Sequence, residues 1–174
     1  GWSGDDSKFA VSSGVLRLNA PAATSQAYLS TPNLSIDHAS WEFYVMMDQS
    51  PTTGNYAKVY LVSDQADITG SLNGYYVGIG NALDEIALYR QTGIPSTKII
   101  NGTDGTLLAS PIEVKIKVTR DDLGNWELFT DVGLTSTYTS EGTVSDNSHL
   151  SSSYFGILCV YTSLRSDEIY FDDF

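Results

Sequence analysis

The run Ile112-Glu113-Val114-Lys115-Ile116-Lys117-Val118, continued by Thr119-Arg120-Asp121-Asp122-Leu123-Gly124-Asn125 and Trp126-Glu127-Leu128-Phe129-Thr130-Asp131, decides the fold. Ile112, Val114, Ile116 and Val118 alternate with Glu113, Lys115 and Lys117, the period of a strand buried on one face only. Asp121-Asp122-Leu123-Gly124-Asn125 is rich in turn formers and joins that strand to a second alternating one, so the pair reads as a hairpin. In the second strand Trp126, Leu128 and Thr130 share a side. Trp126 reads as a core residue whose indole nitrogen needs a partner when buried.

The same alternation extends outward along the chain. Trp41, Phe43, Val45 and Met47 alternate with Glu42, Tyr44 and Met46; Ala57, Val59 and Leu61 alternate with Tyr56, Lys58, Tyr60 and Val62. Further strands are predicted near residues 8–11, 14–19, 26–30, 74–80, 84–91, 97–100, 135–141, 153–162 and 167–174. Ser50-Pro51-Thr52-Thr53-Gly54 and Leu72-Asn73-Gly74 punctuate them as turns. No stretch carries a convincing amphipathic helix. Thirteen short strands at this spacing predict an all-β fold, a two-sheet antiparallel β-sandwich forming a single domain over residues 1–174.

Composition narrows the function classes. Nine Lys+Arg stand against 21 Asp+Glu, for a net charge of -12. Such a surface repels a phosphate backbone and anionic lipid, which argues against nucleic acid and membrane-surface partners. No apolar run approaches the roughly 18 residues of a membrane span, so no membrane insertion is expected. Polarity comes mainly from 22 Ser and 16 Thr, which suit exposed strands. The lone Cys159 lies in the apolar run Tyr154–Val160 and reads as a buried, inert thiol. The chain opens Gly1-Trp2-Ser3-Gly4 and stops inside a strand-like run, which reads as a module excised from a larger modular protein.

Trp41-Glu42-Phe43-Tyr44-Val45, Val59-Tyr60-Leu61-Val62-Ser63-Asp64, Asn73-Gly74-Tyr75-Tyr76-Val77-Gly78-Ile79-Gly80 and Glu85-Ile86-Ala87-Leu88-Tyr89-Arg90-Gln91 follow a familiar order, as do Val118-Thr119-Arg120, Gly124-Asn125-Trp126 and Tyr170-Phe171-Asp172-Asp173-Phe174. Over nearly its full length the chain resembles the concanavalin A-like lectin/glucanase superfamily. Within it the likeness is to the laminin-G-like jelly-roll modules of Bacteroidetes secreted or surface proteins. The resemblance implies a concave and a convex sheet, a ligand across the concave sheet or its rim, a structural calcium, and an extracellular or cell-surface location beside other domains of a parent protein. The superfamily holds lectins, glycosidases and adhesion modules alike, so the fold does not fix the function.

Alternation assigns outward sides to Tyr44, Tyr60, Tyr76 and Tyr89 on four consecutive strands, with Glu42, Lys58, Glu85 and Gln91 among them and the small Gly78 and Ala87 between the rings. Tyr rings can pack on the apolar face of a pyranose, while carboxylate, amide and amine groups satisfy its hydroxyls. The expected function is a noncatalytic, lectin-like carbohydrate-binding module whose partner is a polysaccharide or glycan. The competing account of those tyrosines is that Tyr is simply a good strand former. A protein-interaction or architectural module of an adhesin is the alternative function.

A glycoside hydrolase is the third reading. Glucanases of the superfamily carry Glu-x-Asp-x-Glu or Glu-x-Asp-x-x-Glu on one strand, and no glutamate here sits in such a motif. Glu42 and Glu85 could face each other only across strands. For calcium the candidate acids are Asp5-Asp6, Asp64 with Asp67, Asp121-Asp122 and Asp172-Asp173; the resemblance to related modules singles out Asp172 of the final strand with Asp5 or Asp6 of an early loop, and Asp173 would point inward if Ile169 and Phe171 are core. Acids that merely solvate turns are the simpler account of these residues. His38 and His149 read as loop histidines, and Arg90 and Arg165 as partners of nearby aspartates.

Overall fold

The computed structural model describes all residues, Gly1–Phe174. The strands are β1 (Ser3–Gly4), β2 (Phe9–Ser12), β3 (Val15–Leu18), β4 (Ser25–Pro32), β5 (Ala39–Met47), β6 (Tyr56–Ser63), β7 (Leu72–Ile79), β8 (Ile86–Gly93), β9 (Ser96–Ile100), β10 (Ile112–Arg120), β11 (Asn125–Val132), β12 (Thr139–Ser145), β13 (Tyr154–Tyr161) and β14 (Ile169–Asp172), with one 3₁₀ turn at Asp6–Lys8. They form two seven-stranded antiparallel sheets. Sheet I has the order β1-β4-β13-β6-β7-β8-β9, and sheet II the order β12-β11-β10-β5-β14-β3-β2.

The β10–β11 hairpin forms as read, with Val114 opposite Val132 and Arg120 opposite Trp126. Its turn is held by Asp121, whose carboxylate accepts the backbone N–H groups of Leu123 and Asn125, each at 2.9 Å. Gly124 has φ +79°, the left-handed region that favours glycine, and a Cβ there would lie 2.0 Å from Asn147 Oδ1 and displace that side chain. On the other side β10 pairs with β5, placing Val45 beside Val114 and Trp41 beside Val118.

Apolar residues alternating inward from both sheets build one cluster of 31 buried side chains. Trp41 and Trp126 stack in it at 5.7 Å, and the Trp126 indole N–H donates to Asp146 O at 3.1 Å, the partner its burial demands. Cys159 is fully buried, and burial pushes its thiol well above the ordinary range. Along the sandwich, Tyr75 Oη and Arg90 Nη1 each donate to the Asp146 carboxylate at 2.6 Å.

Three expectations need correction. The strand predicted near 135–141 begins instead at Thr139. Gly133, Leu134 and Ser136 have positive φ, and the Asp131 carboxylate accepts the backbone N–H of Thr135 and of Ser136, which makes a capped loop there. Asp173 does not point inward. Its φ of +57° breaks the alternation, its side chain is 60% exposed, and it lies 3.3 Å from Lys115. Most consequentially, the connection over residues 48–55 carries the chain from sheet II to sheet I. Glu42 and Tyr44 therefore sit on the outer face of sheet II, away from the tyrosines of β6, β7 and β8.

Burial alone would raise the Asp146 pKa, but the Tyr75 hydroxyl, the Ser148 backbone and side chain, and Arg90 outweigh it and lower it. A depressed carboxylate contributes stability above the unfolded-state aspartate pKa of about 3.9 and loses it as pH falls through the folded value. Asp146→Asn is expected to cost about 2 kcal/mol at pH 7, from hydrogen bonds to a charged group, with the gap to the parent closing as pH falls below 4. Urea unfolding across pH checks this; a gap independent of pH contradicts it.

Candidate functional site

The outer face of sheet I carries a second, smaller apolar cluster of Tyr60, Ile68, Leu72, Tyr76 and Leu158, with Tyr28 and Tyr89 packed against it. Strand register makes the tyrosines neighbours: Tyr60 lies opposite Tyr76, and Tyr76 opposite Tyr89. The ring centres are 4.9 Å apart at each step, and Tyr76 and Tyr89 are nearly parallel at 7°. Gly78 leaves the space Tyr89 needs, since a Cβ at Gly78 would come within 2.8 Å of Tyr89 Cε2. Lys58 places its ammonium 4.6 Å from the centre of the Tyr76 ring.

Two grooves flank this ladder. One, of about 300 Å³, is lined by Tyr56, Lys58, Tyr76 and Tyr89 on the strands and by Thr53 and the Gly80–Ala82 turn at the rim. The other, of about 250 Å³, shares Tyr56 and Lys58 and runs past Tyr60, Ile68, Gln91 and Ser96. The loop of residues 64–71 folds over this second groove and seats Ile68, 1% exposed, against the sheet. Tyr60 and Tyr76 are consequently 1% and 4% exposed, whereas Tyr56 and Tyr89 stay half-buried and open to the first groove.

The face thus gathers Lys58, Tyr60, Tyr76 and Tyr89 as expected, but Gln91 and Glu85 are committed inside the protein. Gln91 Oε1 accepts the Tyr60 hydroxyl at 2.7 Å, and its amide donates to the carbonyls of Gly70 and Gly93, which clamps the covering loop. Glu85 is fully buried. It accepts from Lys98, from Asn81 Nδ2 at 2.7 Å and from the Gly102 N–H at 3.1 Å. Asn81 also donates to the Tyr89 hydroxyl at 3.1 Å, fixing that ring at the groove rim. Burial raises the pKa of Tyr60 and of Tyr76 and lowers that of Lys58, while the Glu85 carboxylate raises that of Lys98. Thr53, Asn81 and Ala82 were not legible as site residues, because they reach the groove through turns whose course alternation does not encode.

No carboxylate pair faces either groove: Glu42 is on the other sheet and Glu85 is spent on Lys98. On sheet II, Tyr44 donates to Glu113 at 2.7 Å, an ordinary cross-strand contact.

No protein-family model and no curated protein matches the chain. Solved structures do. The exoplasmic/lumenal domain of VIP36 in its calcium- and mannose-bound form matches at TM-score 0.68 and 13% identity, over 100% of this chain and 82% of that one. The carbohydrate recognition domain of Emp46p matches at 0.66 and 11%, covering 99% and 87%. The carbohydrate-binding module CBM66 from Bacillus subtilis matches at 0.62 and 11%, covering 99% and 92%.

Calcium in the first of these directs attention to the candidate ligands. Asp5 accepts the Tyr28 N–H and pairs with Lys8; Asp172 accepts the Asp173 N–H; Asp173 faces Lys115. Their oxygens are committed separately, no group of three or more acidic, His or Cys side chains converges, and the trio does not fit an ion that takes six to eight oxygens. The calcium response of the thermal midpoint is therefore expected to be the same in Asp5→Asn and Asp173→Asn as in the parent. A rise of several degrees with calcium that either variant abolishes, as linkage gives for a specific site, contradicts this. What the likenesses establish is the architecture: the chain has the two-sheet jelly-roll sandwich fold of these solved domains.

Proposed function

We propose that the chain is a noncatalytic glycan-binding module whose ligand lies on the outer face of sheet I, in the groove between Tyr56 and Tyr89. The observation that carries this reading is the packed ladder Tyr60–Tyr76–Tyr89, which holds an aromatic wall rigid beside an open groove. A wall whose rings are already ordered loses little entropy on binding. Tyr56 and Tyr89 supply apolar contact for a sugar ring; Lys58, Thr53 and Asn81 supply polar contact for its substituents. A groove of this size suits one or two sugar units.

The noncatalytic reading is supported by the neighbours' names and by the two grooves of the proposed site, neither of which presents the two carboxylates that both routes of glycoside hydrolysis use. Calcium plays no part in the proposed contact. The neighbours' own names support the reading: VIP36 in mannose-bound form, the Emp46p carbohydrate recognition domain, and CBM66. The exoplasmic/lumenal placement of the VIP36 domain supports a place outside the cytosol, beside further domains of a larger protein. A purely architectural module would favour a flat or covered face. Loop 64–71 covers Tyr60 but leaves the Tyr56–Tyr89 groove open, which favours binding.

A glycan array of neutral and acidic sugars, followed by calorimetry, tests this. Tyr89→Ala and Tyr56→Ala are each expected to weaken binding about tenfold or more, as loss of an aromatic anchor does. Tyr44→Ala, on the opposite sheet, is expected to leave it unchanged. Absence of any retained glycan, or loss through Tyr44 rather than Tyr89, contradicts the proposal.

A further inference from the structure

The two grooves on sheet I are lined by 9 and 12 residues, and Lys58, common to both, is the one charged side chain in either lining. In a chain with 21 acids and 9 bases this is an unusual place. Lys8, Arg17, Arg90, Lys98, Lys115, Arg120 and Arg165 each pair with a carboxylate within 4 Å. The two remaining bases are Lys58 and Lys117. Lys117 lies opposite Glu42 in the register of sheet II. Lys58 lies opposite Gly78 on one side and Leu158 on the other. Its own strand flanks it with Tyr56 and Tyr60, and its ammonium sits over Tyr76. Phenols surround it and no carboxylate does. The one nearby buried acid, Glu85, is occupied by Lys98.

A lysine that is half-buried and unpaired costs desolvation energy, and the downward shift of its pKa registers that cost. Aromatic faces compensate for it only in part. An incoming anion would recover the rest by a charge-assisted hydrogen bond in a partly dry groove.

Resting on the glycan-binding reading above, we propose that Lys58 selects a glycan whose pyranose carries a negative substituent, a uronic acid carboxylate or a sulfate ester. The sugar ring lies against Tyr89 and Tyr56, and its anionic group meets the Lys58 ammonium. The acids elsewhere on the surface disfavour long polyanions in general, so recognition is confined to the short segment the groove admits.

Calorimetry with matched probes tests this: a galacturonate trisaccharide, its methyl ester, a neutral galactose trisaccharide, a sulfated galactose trisaccharide, and a short poly-glutamate peptide. One or both anionic sugars are expected to bind at least about tenfold tighter than the ester and the neutral sugar, the size of a hydrogen bond to a charged group. Which of the two prevails identifies the substituent. Lys58→Met keeps the length of the side chain and is expected to erase the preference, while Lys58→Arg keeps it; near-parent thermal midpoints show that both variants fold. Equal binding of neutral and anionic sugars through Tyr89 overturns the Lys58 proposal and leaves the glycan-binding reading standing. Failure of every sugar overturns it together with that reading for this set, and tighter binding of the peptide overturns it in favour of an acidic protein partner. A preference unchanged in Lys58→Met also overturns it.

Discussion

The ring of Tyr76 is held from both sides, by Tyr60 and by Tyr89, and the Lys58 ammonium lies against its face. This contact is made on the solvent side of a sheet, where a sandwich has no packing need for large aromatic side chains. Its support comes from three directions. Ile68 in loop 64–71 closes one end, Gln91 ties that loop to β8, and Asn81 fixes the Tyr89 hydroxyl at the other. The result is a rigid aromatic wall with one flank covered and one open.

The same arrangement accounts for the charge distribution. Acids crowd the turns and the outer face of sheet II, where backbone N–H groups hold their carboxylates, as at the exposed Asp121 and the buried Asp131. Where an acid is buried near the aromatic wall, it is neutralised on the spot, as Glu85 is by Lys98. The grooves are left with a single ammonium in a low-dielectric setting, in which an electrostatic contact is worth more than at the open surface.

Side alternation was legible along most of each strand but not at Val62, read as outward, which a β-bulge after Tyr60 turns into the core beside Leu61. Trp41, Phe43, Val59, Val77 and Leu88 all face the core, and Tyr60, Tyr76 and Tyr89 all face out. The sheet to which a strand belongs was not legible, because period 2 reports a side and not a neighbour. Residues 48–55 could close a hairpin or cross the sandwich, and they cross it, which removes Glu42 and Tyr44 from the wall. The fate of Gln91 and Glu85 was hidden for a related reason: their partners, Gly70, Gly93, Asn81 and Gly102, lie in turns whose path depends on tertiary packing. Asp173 escaped the reading because one residue with positive φ cancels alternation at the strand end.

The most direct measurement is a titration of the ¹⁵N-labelled chain with the galacturonate trisaccharide, followed through its backbone amide signals. The account places the shifts on β6, β7 and β8 around Lys58, Gly78 and Tyr89 and on the Gly80–Ala82 turn, with sheet II silent. Shifts centred on Glu42, Tyr44 and Lys115, or on the exposed rings of Trp2 and Phe174, would contradict it.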